Sequence, residues 1–151
     1  MTKKPVDILL VEDNPDDVDL ALYALRRHQL ANHIHVVRDG VEALDFIFCR
    51  GDYQERSWTH NPKLILLDLN MPKLNGLEVL KAVRANPDTA KIPIVILTTS
   101  KEESDLVESY RLGVNSYIVK PVDFEQFSDV ICRLGYYWLL LNERPSMREV
   151  V

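Results

Sequence analysis

The sequence predicts an α/β domain of five βα units, with a parallel sheet covered by helices on both faces. Three observations carry that expectation. Short apolar runs alternate with stretches of helical periodicity along the 151 residues. Four of the runs end in a group capable of chemistry: Ile8-Leu9-Leu10-Val11 in Glu12-Asp13, Leu64-Ile65-Leu66-Leu67 in Asp68, Ile94-Val95-Ile96-Leu97 in Thr98, and Tyr117-Ile118-Val119 in Lys120-Pro121. Ligands of an open parallel sheet bind in the crevice beyond the carboxyl ends of its strands. The four strand ends therefore read as one site, built to hold a divalent cation and a phosphoryl group on Asp68.

The first strand is expected from Asp7 to Val11. Asn14-Pro15-Asp16-Asp17 then supplies a cap, a proline near the first turn and acids at the positive helix end. The helix that follows carries Val18, Leu22 and Leu25 on one face, widened by Leu20, Ala21 and Ala24. His35-Val36-Val37-Arg38 is a weaker second strand, and Asp39-Gly40 turns the chain into a helix with Val41, Ala43, Leu44, Ile47 and Phe48. Arg50 to Lys63 is the least regular stretch, and loops of that length are usually functional or mobile. Beyond the Asp68 strand, Asn75-Gly76 marks a turn, and Leu77, Val79, Leu80 and Val83 a helix stopping near Asn86-Pro87. The strand Ile94 to Thr98 precedes a helix from about Glu102 to Leu112, closed by Gly113. The last strand is Ser116 to Val119, and the last helix begins near Asp123.

The length suits one domain, 1–151, with a core of about 6–141 and a tail, 142–151, too short for an output domain. A net charge of −5 argues against a DNA-binding surface. No apolar run approaches the roughly 20 residues that span a bilayer, and Thr2-Lys3-Lys4-Pro5 leads into a strand rather than a secretory signal. A cytoplasmic location is expected. Cys49 and Cys132 lack metal-type spacing and are expected as small, reduced core residues. His28, His33, His35 and His60 show no ligand spacing and are expected as surface or turn residues.

Adjacent acids Glu12-Asp13 are unfavourable beside Asp68 unless a cation neutralises them. Hard carboxylate oxygens with an open position suit Mg²⁺. Asp13 and Asp68 are expected to ligate directly, Glu12 through a metal-bound water, and Asn70 through its backbone carbonyl. The plainer alternative makes Glu12 and Asp13 loop acids, with Asp13 or Asn14 capping the helix. A carboxylate such as Asp68 is a competent nucleophile towards phosphorus. Lys120 then supplies charge and Thr98 a hydroxyl donor to the phosphoryl oxygens. A cis Lys120–Pro121 peptide would turn the lysine into the cleft; alternatively Pro121 merely opens the last helix.

With these residues in order, the chain from about 6 to 141 resembles a response-regulator receiver domain of two-component signalling. The acid pair Glu12-Asp13, the acceptor in Leu67-Asp68-Leu69-Asn70-Met71-Pro72, Gly76, Thr98, Tyr117 and Lys120-Pro121 all fall in family order. Thirty positions separate Asp68 from Thr98 and twenty-two separate Thr98 from Lys120. The resemblance implies a flavodoxin-like, doubly wound five-stranded sheet of order 2-1-3-4-5. It implies Mg²⁺-dependent transfer from a sensor histidine kinase's phosphohistidine to Asp68. It also implies a switch in which Thr98 is drawn to the phosphoryl group, Tyr117 rotates inward, and the surface of the fourth helix, fifth strand and fifth helix changes. The chain is also similar to stand-alone receivers associated with cyanobacterial phytochromes, through Arg50–Lys63, Thr98-Thr99-Ser100 and Tyr136-Tyr137-Trp138. Thr99 stands where the family often carries alanine or glycine, and its bulk is expected to lengthen the life of the aspartyl phosphate.

In the last helix Phe124, Phe127, Ile131, Leu134, Trp138 and Leu141 recur at spacings of three and four. Its first two turns are expected in the core. Its end, Tyr136 to Leu141, is apolar all round, which is expected of a partner site; alternatively the helix end folds back on its own domain. Homodimerisation is expected through this helix, with the surface of the fourth helix, fifth strand and fifth helix forming part of the interface, and with Phe127, Ile131, Leu134, Tyr137, Trp138 and Leu141 as interface candidates. The rival function is an aspartyl-nucleophile phosphohydrolase of the haloacid dehalogenase type. That chemistry needs a second acid two residues after the nucleophile, where this chain has Asn70. A dinucleotide-binding domain is weaker still, since no Gly-x-Gly-x-x-Gly follows a strand.

Overall fold

The structure, a computed structural model, describes residues 6–27, 33–56 and 61–143. Its strands are β1 (Ile8–Val11), β2 (Ile34–Val37), β3 (Leu64–Leu67), β4 (Ile94–Thr98) and β5 (Ser116–Val119). Its α-helices are α1 (Pro15–Arg27), α2 (Gly40–Ile47), α3 (Gly76–Ala85), α4 (Glu103–Arg111) and α5 (Phe124–Gly135). All strand pairs are parallel, in the order β2-β1-β3-β4-β5. β1, β3 and β4 are buried along their whole length, while the edge strands β2 and β5 are largely half-exposed. Central parallel strands, covered on both faces, read as continuous apolar runs.

Alternation along the strands divides the core in two. Leu9, Val11, Ile65, Leu67, Ile94 and Ile96 face α2 and α3, meeting Ala43, Phe46, Ile47, Val79, Leu80 and Val83. Ile8, Leu10, Leu64, Leu66, Val95 and Leu97 face α1 and α5, meeting Val18, Ala21, Leu25, Phe127, Ile131 and Leu134. The starts of α1, α2, α3 and α5 are capped by side chains. Asn14 Oδ1 accepts the Asp16 amide at 2.9 Å, Asp39 Oδ1 the Glu42 amide at 2.8 Å, Asn75 Oδ1 the Glu78 amide at 3.0 Å and Asp123 Oδ1 the Glu125 amide at 2.7 Å. Each such cap is worth about 1 kcal/mol.

The last helix corrects part of the sequence expectation. Phe127, Ile131 and Leu134 are buried within their own domain, so they are core residues and not interface residues. Phe124, expected in the core, is instead 45% exposed beside Tyr23. From Tyr136 to Leu141 the helix widens into a π-helical segment, closed by the Asn142 amide on the Tyr137 carbonyl at 2.7 Å. An i→i+5 repeat breaks the three-four spacing. Trp138 and Leu139 still pack against the domain, whereas Tyr136, Tyr137, Leu140 and Leu141 face outward.

The long α2–β3 connection is tied down over its described part. Gly51–Tyr53 forms a single 3₁₀ turn, Arg56 lies 3.8 Å over the Phe46 ring and donates to the Phe46 carbonyl, and residues 57–60 lie outside the described residues. His35 is not a plain surface residue: it stacks on Phe46 at 4.7 Å and shares a 2.8 Å hydrogen bond with Tyr53. His33 lies near Asp7; His28 and His60 fall outside the described residues. Both cysteines are free thiols, half-buried rather than in the core. No helix among the described residues is long and apolar enough to cross a membrane.

Candidate functional site

The parallel register brings the carboxyl ends of β1, β3, β4 and β5 to one rim, and the expected groups meet there. Carboxylate oxygens of Glu12, Asp13 and Asp68 lie within 4.8 Å of one another. Glu12 and Asp68 are buried and Asp13 is exposed, so the group is open on one side. Glu12 Oε2 accepts the Asn14 amide at 3.1 Å, and Asp68 Oδ1 accepts the Asn70 amide at 3.4 Å. Three hard oxygen donors with an open side fit a divalent cation of the Mg²⁺ or Mn²⁺ kind. The capping alternative belongs to Asn14, whose side chain serves α1 and leaves Glu12 and Asp13 to the cluster.

Gly76 sets the position of Asp68. A Cβ there would lie 2.3 Å from the Asp68 carbonyl oxygen, so only glycine lets α3 start against the β3 end. Gly40 does the same one layer out, where a Cβ would meet the Leu74 carbonyl at 2.0 Å. The β3–α3 loop is thereby held between two helix starts.

Lys120 reaches the cluster from the end of β5. Its ammonium contacts Glu12 closely, Asp17 Oδ2 at 2.7 Å and Asp68 Oδ2 at 3.4 Å. No cis peptide occurs among the described residues, which corrects the expected cis Lys120–Pro121 bond. The lysine needs no such turn. Its amide donates to the Thr98 carbonyl at 2.7 Å, which continues the β4–β5 ladder and aims the side chain inward. Asp17 is the residue that sequence reasoning missed; an acid in the first turn of a helix already has a local explanation at the helix dipole.

Three carboxylates, those of Glu12, Asp17 and Asp68, share the Lys120 ammonium, and the Asp13 carboxylate lies beside two of them. Burial pushes the Glu12 carboxyl up to about 7; its hydrogen bond to Lys120 pulls the other way, and the charge of Asp68 adds to the rise. Burial alone would lower the Lys120 ammonium, but the Asp17 and Glu12 hydrogen bonds and the Asp68 charge outweigh it and hold it above the ordinary lysine range. Burial therefore acts on the two pKa values in opposite directions, and the carboxylates around them raise both.

Thr98 is fully buried at the end of β4, and its Oγ1 accepts the Ser100 amide at 3.3 Å. Tyr117 donates its hydroxyl to the Ser100 carbonyl at 3.1 Å, and burial raises its phenol. The Ser100 hydroxyl donates to Asp105 in the first turn of α4 at 2.6 Å. Thr98, Tyr117 and α4 thus meet at Ser100 in the β4–α4 loop.

The receiver-domain sequence profile of response regulators matches residues 8–131. The chain belongs to the response-regulator receiver family. Response regulator Rcp1 of Synechocystis sp. is 38% identical over 142 residues, covering 94% of this chain and 95% of Rcp1. The solved structure of the phosphorylated cyanobacterial phytochrome response regulator RcpA superposes with a TM-score of 0.87 at 38% identity, covering 95% of this chain and all of RcpA. The bacteriophytochrome response regulator AtBRR is 52% identical with a TM-score of 0.72, over 93% of this chain and all of AtBRR. Rcp1 has also been solved with Mn²⁺ bound, at 37% identity and a TM-score of 0.86 over 94% of this chain and 99% of that one. The receiver fold, its strand order and its acidic metal pocket are therefore those of a signalling protein.

Proposed function

We propose that this response regulator accepts a phosphoryl group on Asp68 from the phosphohistidine of a sensor histidine kinase, in a Mg²⁺-dependent reaction. The observation that carries the reading is the convergence of Glu12, Asp13 and Asp68 within 4.8 Å, faced by the buried Lys120 ammonium. An Asp68 oxygen forms the new bond to phosphorus as the P–N bond of the donor breaks and the imidazole leaves with the electron pair. Asp13 and Asp68 would hold the cation directly, Glu12 through water and Asn70 by its carbonyl; the bound ion supplies neutralisation of phosphoryl charge. Lys120 and Thr98 donate to the remaining phosphoryl oxygens, and Thr98 draws its loop inward while Tyr117 follows.

The kinase is proposed to be a phytochrome, on the strength of the likeness to RcpA and AtBRR. The reading is of one receiver domain acting in the cytoplasm through its α4-β5-α5 surface rather than on DNA. We further propose a homodimer through the outward part of the last helix. Tyr136, Tyr137, Leu140 and Leu141 are exposed there, beside a groove of about 490 Å³ lined by Ile118, Val130, Leu134, Tyr137 and Trp138. Incubation with acetyl phosphate or a phosphorylated histidine kinase, with and without Mg²⁺, tests the acceptor. Wild type is expected to retain label only with Mg²⁺, and Asp68→Asn none; label kept by Asp68→Asn overturns the assignment.

A further inference from the structure

An ammonium has three N–H donors, and that of Lys120 faces three carboxylates. Two of them, Glu12 and Asp68, belong to the oxygen group that suits a divalent cation. The third, Asp17, stands outside that group and contacts Lys120 at 2.7 Å, nearer than Asp68 at 3.4 Å. Its position is fixed by the helix start: Asp17 lies in the first turn of α1, and its amide bonds to the capping Asn14 side chain at 3.4 Å. From there the carboxylate crosses to the end of β5, 103 positions along the chain. Asp16 supplies an acid to the same helix turn; what sets Asp17 apart is its reach to the lysine.

A cation and the lysine would therefore draw on the same two carboxylates. We propose that Asp17 is a positioning residue: the counter-charge that keeps Lys120 in the cleft when metal claims Glu12 and Asp68. It gives the ammonium an anionic partner on the side away from the cation, so the two positive charges share the site instead of competing for it. Without it, Lys120 depends on Glu12 and Asp68 alone and resists the incoming metal. This rests on the metal-dependent reading of the acceptor site.

The test is Mg²⁺ titration by calorimetry of the full, unphosphorylated chain, in wild type, Asp17→Asn, Lys120→Met and the double variant. Asparagine preserves size at a partly exposed position, and thermal melting with Asp17→Glu alongside confirms an intact fold. Asp17→Asn is expected to weaken Mg²⁺ binding about fivefold or more where Lys120 is present, and less than about twofold in the Lys120→Met background, the signature of two coupled residues. Asp17→Glu is expected to retain most of the affinity. Equal weakening in both backgrounds would reduce Asp17 to a simple nearby charge and overturn the proposal, as would no weakening at all. Failure of the wild-type chain to take up Mg²⁺ removes the metal-dependent reading itself, an outcome visible before any substitution is compared.

Discussion

Gly76 lies so close against Asp68 that a Cβ on it would stand 2.3 Å from the Asp68 carbonyl oxygen and 2.8 Å from the Leu69 Cα. Both obstacles are backbone, so neither can rotate aside. Gly76→Ala is expected to push α3 away from the end of β3, at a cost of about 1–3 kcal/mol, the usual range for overpacking. Chemical denaturation measures the loss. Because the displaced backbone carries the proposed acceptor Asp68 and the Asn70 amide on it, phosphorylation by acetyl phosphate should fall as well; an alanine variant of unchanged stability contradicts the close contact.

Glu12 is expected to make metal binding sensitive to pH. Its carboxyl is pushed up to about 7 from an ordinary 4.5 by burial, with the Asp68 charge adding. A raised acid binds its proton more tightly in the folded chain than in the unfolded one. Its contribution to the stability of the metal-free protein is therefore fully present below pH 4.5 and is lost as pH rises to about 7. Protons and cation compete for the same oxygens over that window, so Mg²⁺ affinity is expected to fall as pH drops below about 7. Glu12→Gln should flatten this dependence, and calorimetric titrations at pH 6 and 8 would show it.

The central strands and the groups ending them were legible because strands buried on both faces leave unbroken apolar runs. β4 and β5 matched their expected limits, whereas edge strand β2, half-exposed, begins one residue earlier at Ile34. The Lys120–Pro121 isomer was not legible, since the dipeptide permits either form and only the ladder to Thr98 shows where the lysine points. Asp17 was hidden by its local role at the start of α1. The last helix misled because one apolar stripe serves core and surface alike: Phe127, Ile131 and Leu134 pack against the sheet, while Phe124 at its start is exposed.

Thr99 is exposed beside the fully buried Thr98, at the edge of the site rather than in its floor. We propose that its methyl and hydroxyl hinder a water attacking the aspartyl phosphate. Thr99→Ala is expected to speed loss of the phosphoryl group several-fold while leaving fold stability within about 0.5 kcal/mol, as for most surface substitutions. The decay of labelled protein after removal of the phosphodonor measures the rate. An unchanged rate removes Thr99 from the control of phosphate lifetime.

The two sides of the last helix should answer to different experiments. Ile131 is wholly buried between α5 and the sheet, so Ile131→Ala is expected to cost about 2–5 kcal/mol in stability. Leu140 is 62% exposed on the π-helical turn, and replacing it by serine removes apolar surface from the proposed partner site without opening the core. Leu140→Ser, alone or with Tyr137→Ser, is expected to leave the unfolding midpoint nearly unchanged and to shift the sedimentation equilibrium towards monomer. Phosphorylated and unphosphorylated wild type run at several concentrations supply the reference. If both stay monomeric at every concentration, the exposed apolar end of the helix does not join two copies of this chain.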